Sequence, residues 1–103
     1  MSVARIVQTS VTLAAATPSG QIVASSNARV SLTIQNTGTG SASIGFGAAA
    51  TAGAGLSLDP ASAAGGQGGS RVWDGSDRIP SDAIHAISTA GTTLVIIEGF
   101  AGP

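Results

Sequence analysis

Arg29-Val30-Ser31-Leu32-Thr33-Ile34-Gln35 alternates apolar and polar side chains over the length of a strand. Successive side chains of an extended chain point to opposite faces. Val30, Leu32 and Ile34 therefore share one face, and Ser31, Thr33 and Gln35 the other, which is the pattern of a half-buried β-strand. The run ends in Asn36-Thr37-Gly38-Thr39-Gly40, residues that tolerate turn conformations. Ser41 to Gly47 follows with Ile44 and Phe46 on one face, so the two segments read as a hairpin.

The same period continues outward. Leu56 and Leu58 alternate with Ser57 and Asp59 until Pro60 stops the segment. Ser70 to Asp74 reads as a short strand. Ala83 to Ser88 and Thr92 to Glu98 are the last two, joined by Thr89-Ala90-Gly91. Leu94-Val95-Ile96-Ile97 is apolar on both faces, which predicts a strand that is central or covered on both sides. Ala48 to Gly55 and Pro60 to Ser70 read as loops, the second flexible and polar. Their alanines lack helical spacing and lie among glycines, so no helix is predicted. Short strands with frequent turns predict an all-β fold: an antiparallel β-sandwich or jelly-roll-like small barrel with an extended N-terminal segment.

In that segment Val3, Ile6, Val7, Val11 and Leu13 are apolar, with Gln8-Thr9-Ser10 between them and a turn at Thr17-Pro18-Ser19-Gly20. Two readings stay open: a first strand of the domain, or an arm that pairs with a neighbouring subunit. The division is residues 1–20 as arm or first strand, 21–99 as the sandwich and 100–103 as a short tail, with Phe100 capping the core or an interface.

Reactive chemistry is scarce. The chain has no Cys, Lys or Tyr, one His and one Trp, and nine charged residues in 103. Enzymes need donors, nucleophiles or metal ligands converging on one pocket, so the expectation is a non-enzyme without cofactor or metal. A formal charge of −1 without a basic run argues against nucleic acid. No stretch approaches the ~18 apolar residues of a spanning helix, and no signal peptide is read, so no membrane partner is expected. Val, Ile, Leu and Phe make up just over a fifth of the chain, near the level where disorder sets in. The core should be thin, with partner subunits supplying part of the stability.

The candidate sites each have a plainer reading. His85 falls between Ile84 and Ala86 on a strand, where a structural role is the default; no motif supplies a nucleophile and carboxylate for it. Gly40-Ser41-Ala42-Ser43-Ile44 falls short of the nucleophile elbow because the closing Gly is absent. Asp74-Gly75-Ser76-Asp77 and Asp82 match a calcium loop poorly and read as a solvated turn. Gly45-Phe46-Gly47-Ala48-Ala49-Ala50 fits a loose dinucleotide fingerprint, but no amphipathic helix follows. Gly65-Gly66-Gln67-Gly68-Gly69 lacks the Lys of a phosphate loop. Trp73 could stack on a sugar, yet a lone Trp on a strand more often plugs a core or an interface.

From Leu32-Thr33-Ile34-Gln35-Asn36-Thr37-Gly38, through Ile44-Gly45-Phe46-Gly47, Gly55-Leu56-Ser57-Leu58, Trp73-Asp74-Gly75 and Ile79-Pro80, to Ala83-Ile84-His85-Ala86-Ile87 and Thr92–Gly99, the chain resembles small virion proteins of tailed bacteriophages, the head decoration (cement) and head-fibre-base type. The resemblance covers roughly residues 28–99 and rests on turns and strand lengths. It implies a β-sandwich or jelly roll, commonly a homotrimer, made in the host cytoplasm and located on the capsid surface of the virion. The implied function is a capsid decoration protein that bridges subunits of the major capsid protein and stabilises the head. The alternatives are another phage structural subunit (head-fibre base, tail or adaptor) or a glycan- or receptor-binding module. Val3, Ile6, Val7, Val11 and Leu13 are the candidates for the capsid or subunit interface. If they form an arm, removing residues 1–16 should abolish binding and leave the sandwich folded.

Overall fold

A computed structural model describes residues 3–15, 20–51, 56–63, 65–73 and 79–101, the side chains of Val3, Ala4 and Ala101 apart. The described strands are β1 (Val3–Leu13), β2 (Gly20–Val23), β3 (Arg29–Asn36), β4 (Ala42–Phe46), β5 (Leu56–Leu58), β6 (Ser70–Trp73), β7 (Ile84–Ile87) and β8 (Thr92–Ala101). They form two four-stranded sheets in the orders β1-β8-β3-β6 and β2-β7-β4-β5. Every pairing is antiparallel.

The pairs nest. β4 pairs with β5, β3 with β6, β2 with β7 and β1 with β8. The chain is thus one long folded ribbon, tipped by the β4–β5 connection and rolled so that its strand pairs fall alternately into two sheets. This is the jelly-roll arrangement. Rolling overturns the hairpin expected from Arg29–Gly47: β3 and β4 lie in different sheets and do not pair. The connection after Asn36 crosses the sandwich instead of reversing within a sheet.

Alternation sets the core as expected. Leu32 and Ile34 of β3, Ile84 of β7, and Leu94 and Ile96 of β8 are fully buried between the sheets. Ala42, Ile44, Leu58, Ala86, Val23 and Trp73 complete the cluster. Burying one such aliphatic side chain contributes about 1.5–3 kcal/mol. β8 is central in its sheet, between β1 and β3, as its apolar run predicted. It also runs to Ala101, so Phe100 belongs to the strand, opposite Arg5 and Arg29, and not to a short tail.

Two polar clasps on β3 hold the ends of the sandwich. In the β3–β8 ladder the register shifts between Arg29 and Ser31, leaving Val30 as an extra residue. That bulge changes which face the strand presents, so Arg29 turns inward with Leu32. Its Nε donates to Glu98 Oε2 at 2.9 Å, in a pair whose side chains are 0% and 10% exposed. Its Nη atoms donate to the carbonyls of Pro80 (2.6 Å) and Ala24 (2.8 Å). One guanidinium thereby ties the β2–β3 and β6–β7 connections to β8.

At the other end Asn36 is fully buried. Its amide donates to Gly40 O and Leu58 O, and its Oδ1 accepts from Gly38 N and from Thr92 Oγ1 at 2.6 Å. The glycine-rich β5–β6 connection packs onto this hub. Gly68 N donates to Asn36 O, Gly65 N to Thr37 O, and Gly69 N to Asp59 O. A side chain at Gly68 would stand 2.5 Å from Asn36 O and 2.6 Å from Asp59 O. The glycine is there for close backbone approach, and the described part of this loop is tied down, not the flexible tract its composition suggested.

Candidate functional site

The N-terminal segment is the first strand of the domain in this structure. β1 pairs with β8 of its own chain from Val3 to Leu13. Register assigns its faces. Val7, Val11 and Leu13 stand opposite Glu98, Leu94 and Thr92, all inward-facing, and are half-buried; Val11 and Leu13 pack against the core. Ile6 stands opposite Gly99 on the outer face and is 69% exposed. The side chain of Val3 lies outside the described set. The five interface candidates are therefore not one apolar stripe: three face the interior and Ile6 faces away. An arm that can be removed without harm to the sandwich does not fit this arrangement, because Val11 and Leu13 are part of its packing.

β1 is nevertheless an edge. Among the described residues it is paired on one side only, and at 11 residues it is the longest strand described. The other three edge strands have three or four residues. Natural edges are blunted by Lys, Pro, bulges or shortness. β1 has no Lys or Pro, one charge at Arg5, and an unbroken register from Arg5 to Leu13. Arg5 lies over the ring of Phe100, 4.7 Å from its centroid, near one end of the strand.

The outer face of this sheet continues the theme. Gln8, Ile97, Thr33 and Val72 form one cross-strand row, and Ser10, Val95, Gln35 and Ser70 the next. Its described residues carry no charge. Ile6 and Val72 (52% exposed), the exposed large hydrophobics among the described residues, both stand on it.

A cleft of ≈ 280 Å³ opens beside the β1 edge. Val11 and Leu13 of β1, Ile22 of β2, and Ala86 to Ser88 line it. β1 and β2 are the edges of their respective sheets on this side, so the cleft is the open seam of the sandwich. The opposite seam is filled. Trp73 of β6 is 8% exposed and meets Phe46 of β4 edge to face, at 5.6 Å between centroids. Arg71 covers the ring 5.3 Å from its centroid.

No family model, curated protein or solved structure matches this chain. The site therefore has to be read from its own residues.

His85 points out from β7 between its cross-strand neighbours Gln21 and Gly45, while Ile84 and Ala86 enter the core. Neither neighbour is a nucleophile or a carboxylate. Ser41 accepts at its carbonyl from Ser88 Oγ at 2.6 Å, a contact between two connections. Asp74 and Asp77 lie outside the described residues. Asp82 is exposed, and its carbonyl faces Arg29 at 3.4 Å. The two glycines of the loose dinucleotide pattern have backbone roles: a side chain at Gly45 would stand 2.8 Å from Ala48 O, and Gly47 holds a positive φ of 73°. Among the described residues no three His, Asp or Glu side chains stand together.

Proposed function

We propose that this protein is a virion structural component, a decoration protein that binds the outside of a tailed-bacteriophage head and bridges subunits of the major capsid protein. The observation that carries the reading is the 11-residue, nearly uncharged β1 edge, continuous with an uncharged outer face. Interface cores are depleted in charged residues, and a free edge gives backbone hydrogen bonds to any extended partner segment. The resemblance of residues 28–99 to small head proteins supplies the partner. The mechanism is mechanical: each copy adds contacts across capsid subunits that oppose outward pressure. A sugar-stacking platform at Trp73 has no support, because that ring is buried against Phe46.

The test is reconstitution. Heads assembled without the chain are mixed with purified protein, sedimented and heated. The proposal expects co-sedimentation in fixed ratio to the major capsid protein and release of packaged DNA at a higher temperature. Folded protein that stays in the supernatant rejects it.

A further inference from the structure

The free edge of β1 is complementary to itself. In antiparallel pairing of two β1 strands about Ser10, Val7 lies opposite Leu13 of the partner subunit and Thr9 opposite Val11 of the partner subunit. Gln8 lies opposite the partner's Thr12, and the two Ser10 residues face each other. The inward-facing pairs are then apolar or Thr against apolar, and the outward-facing pairs are hydroxyl and amide groups, which match well across strands. The inward row runs along the seam that holds the 280 Å³ cleft beside Val11 and Leu13. A strand added there extends the sheet over that opening.

Charge selects the same arrangement. Arg5 is the one charged residue of β1. Pairing about Ser10 leaves both Arg5 side chains beyond the overlapped residues 7–13, each on its own Phe100. An in-register parallel joint would place the two arginines side by side, and like charges directly opposite are destabilising. A register centred on Gln8 would set each Arg5 against the partner's Val11 on the inward face.

We infer that a second copy of this chain adds to the free edge of β1, antiparallel, about a two-fold axis at Ser10, making one continuous eight-stranded sheet from two jelly rolls. A joint between identical surfaces is isologous and closes at two subunits. It builds a dimer, where the resemblance implied a trimer. It draws on the same β1 edge as the virion reading and leaves the uncharged outer face of the sheet for a capsid, and the two fail separately: the joint can form in a protein that never meets a capsid, and a head protein can lack it.

The experiment measures absolute mass by light scattering on the purified full chain and on Ser10 variants. The wild type should have about 20 kDa, twice the 9.8 kDa of one chain. Ser10→Lys and Ser10→Glu place like charges at the axis, and each should run as a folded monomer with unchanged Trp73 fluorescence. An equimolar mixture of the two should return to the dimer mass. Because the chain has no Cys, Ser10→Cys gives an independent reading: opposed strand residues lie within disulfide reach, so oxidation should produce a covalent dimer on a non-reducing gel. A monomeric or trimeric wild type overturns the inference. So does an unchanged dimer mass in Ser10→Lys, or a Ser10→Cys chain that stays single after oxidation.

Discussion

Arg29→Ala should nearly unfold the domain. The guanidinium is buried and bonded to the Glu98 carboxylate and to the carbonyls of Pro80 and Ala24. Truncation leaves the Glu98 side chain buried, 7% exposed, and without its cation. Breaking a buried pair from one side costs about 3–5 kcal/mol, a large share of the about 5–15 kcal/mol that a domain has in total. With a urea slope of about 1.5 kcal/mol per molar, the unfolding midpoint should fall by about 2–3 M. Trp73 is the single tryptophan and packs on Phe46, so its fluorescence reports the transition. Two companions isolate the cause. Glu98→Gln keeps an acceptor for Arg29 Nε and should cost less. Arg29→Met with Glu98→Leu removes both charges and should be more stable than Arg29→Ala, since hydrophobic replacement of a whole buried pair is often tolerated. A midpoint shift below about 0.5 M for Arg29→Ala, at unchanged slope, would refute the assignment of Arg29 as the clasp of this end.

Asn36→Ala should lower stability by about 3 kcal/mol in the same urea assay, because it strips partners from Thr92 Oγ1 and from the Gly40 and Leu58 carbonyls. Gly68→Ala should cost about 1–3 kcal/mol, since its Cβ meets backbone atoms at 2.5–2.8 Å. Gly20→Ala, with nothing within 4 Å of the new methyl, should stay within about 0.5 kcal/mol of the parent. Deleting residues 1–16 should collapse the fold as seen by circular dichroism, not merely abolish binding, because the core loses the cover of Val11 and Leu13 and β8 loses one of its two partner strands.

Strand periodicity made much of the fold legible. Leu32, Ile34, Ile44, Leu58, Ile84, Leu94 and Ile96 alternate in the sequence and alternate into the core. β2 gave no such signal, because Gly20-Gln21-Ile22-Val23 is short and its register shifts between Gln21 and Val23. Pairing was the harder question. Asn36–Gly40 has the composition of a hairpin turn, but the buried Asn36 side chain organises a crossing between sheets. The Arg29 clasp was also hidden: alternation places Val30 inward, and only the bulge opposite Gly99 turns Arg29 toward Glu98, 69 residues away. Of the interface candidates, the apolar residues of β1 were visible, but their division between faces became clear only from the register with β8. Ser10, the last of the polar Gln8-Thr9-Ser10 between those apolar residues, becomes the proposed axis only through its place on the strand.

A protein that coats a phage head, as proposed, has a stoichiometry set by the capsid lattice. The most direct measurement is its copy number per particle, by quantitative mass spectrometry of purified virions, set against the major capsid protein. The account predicts many copies in a fixed lattice ratio, lost together from particles stripped of their outer surface. A few copies per particle, partitioning with tails or fibres, would contradict it.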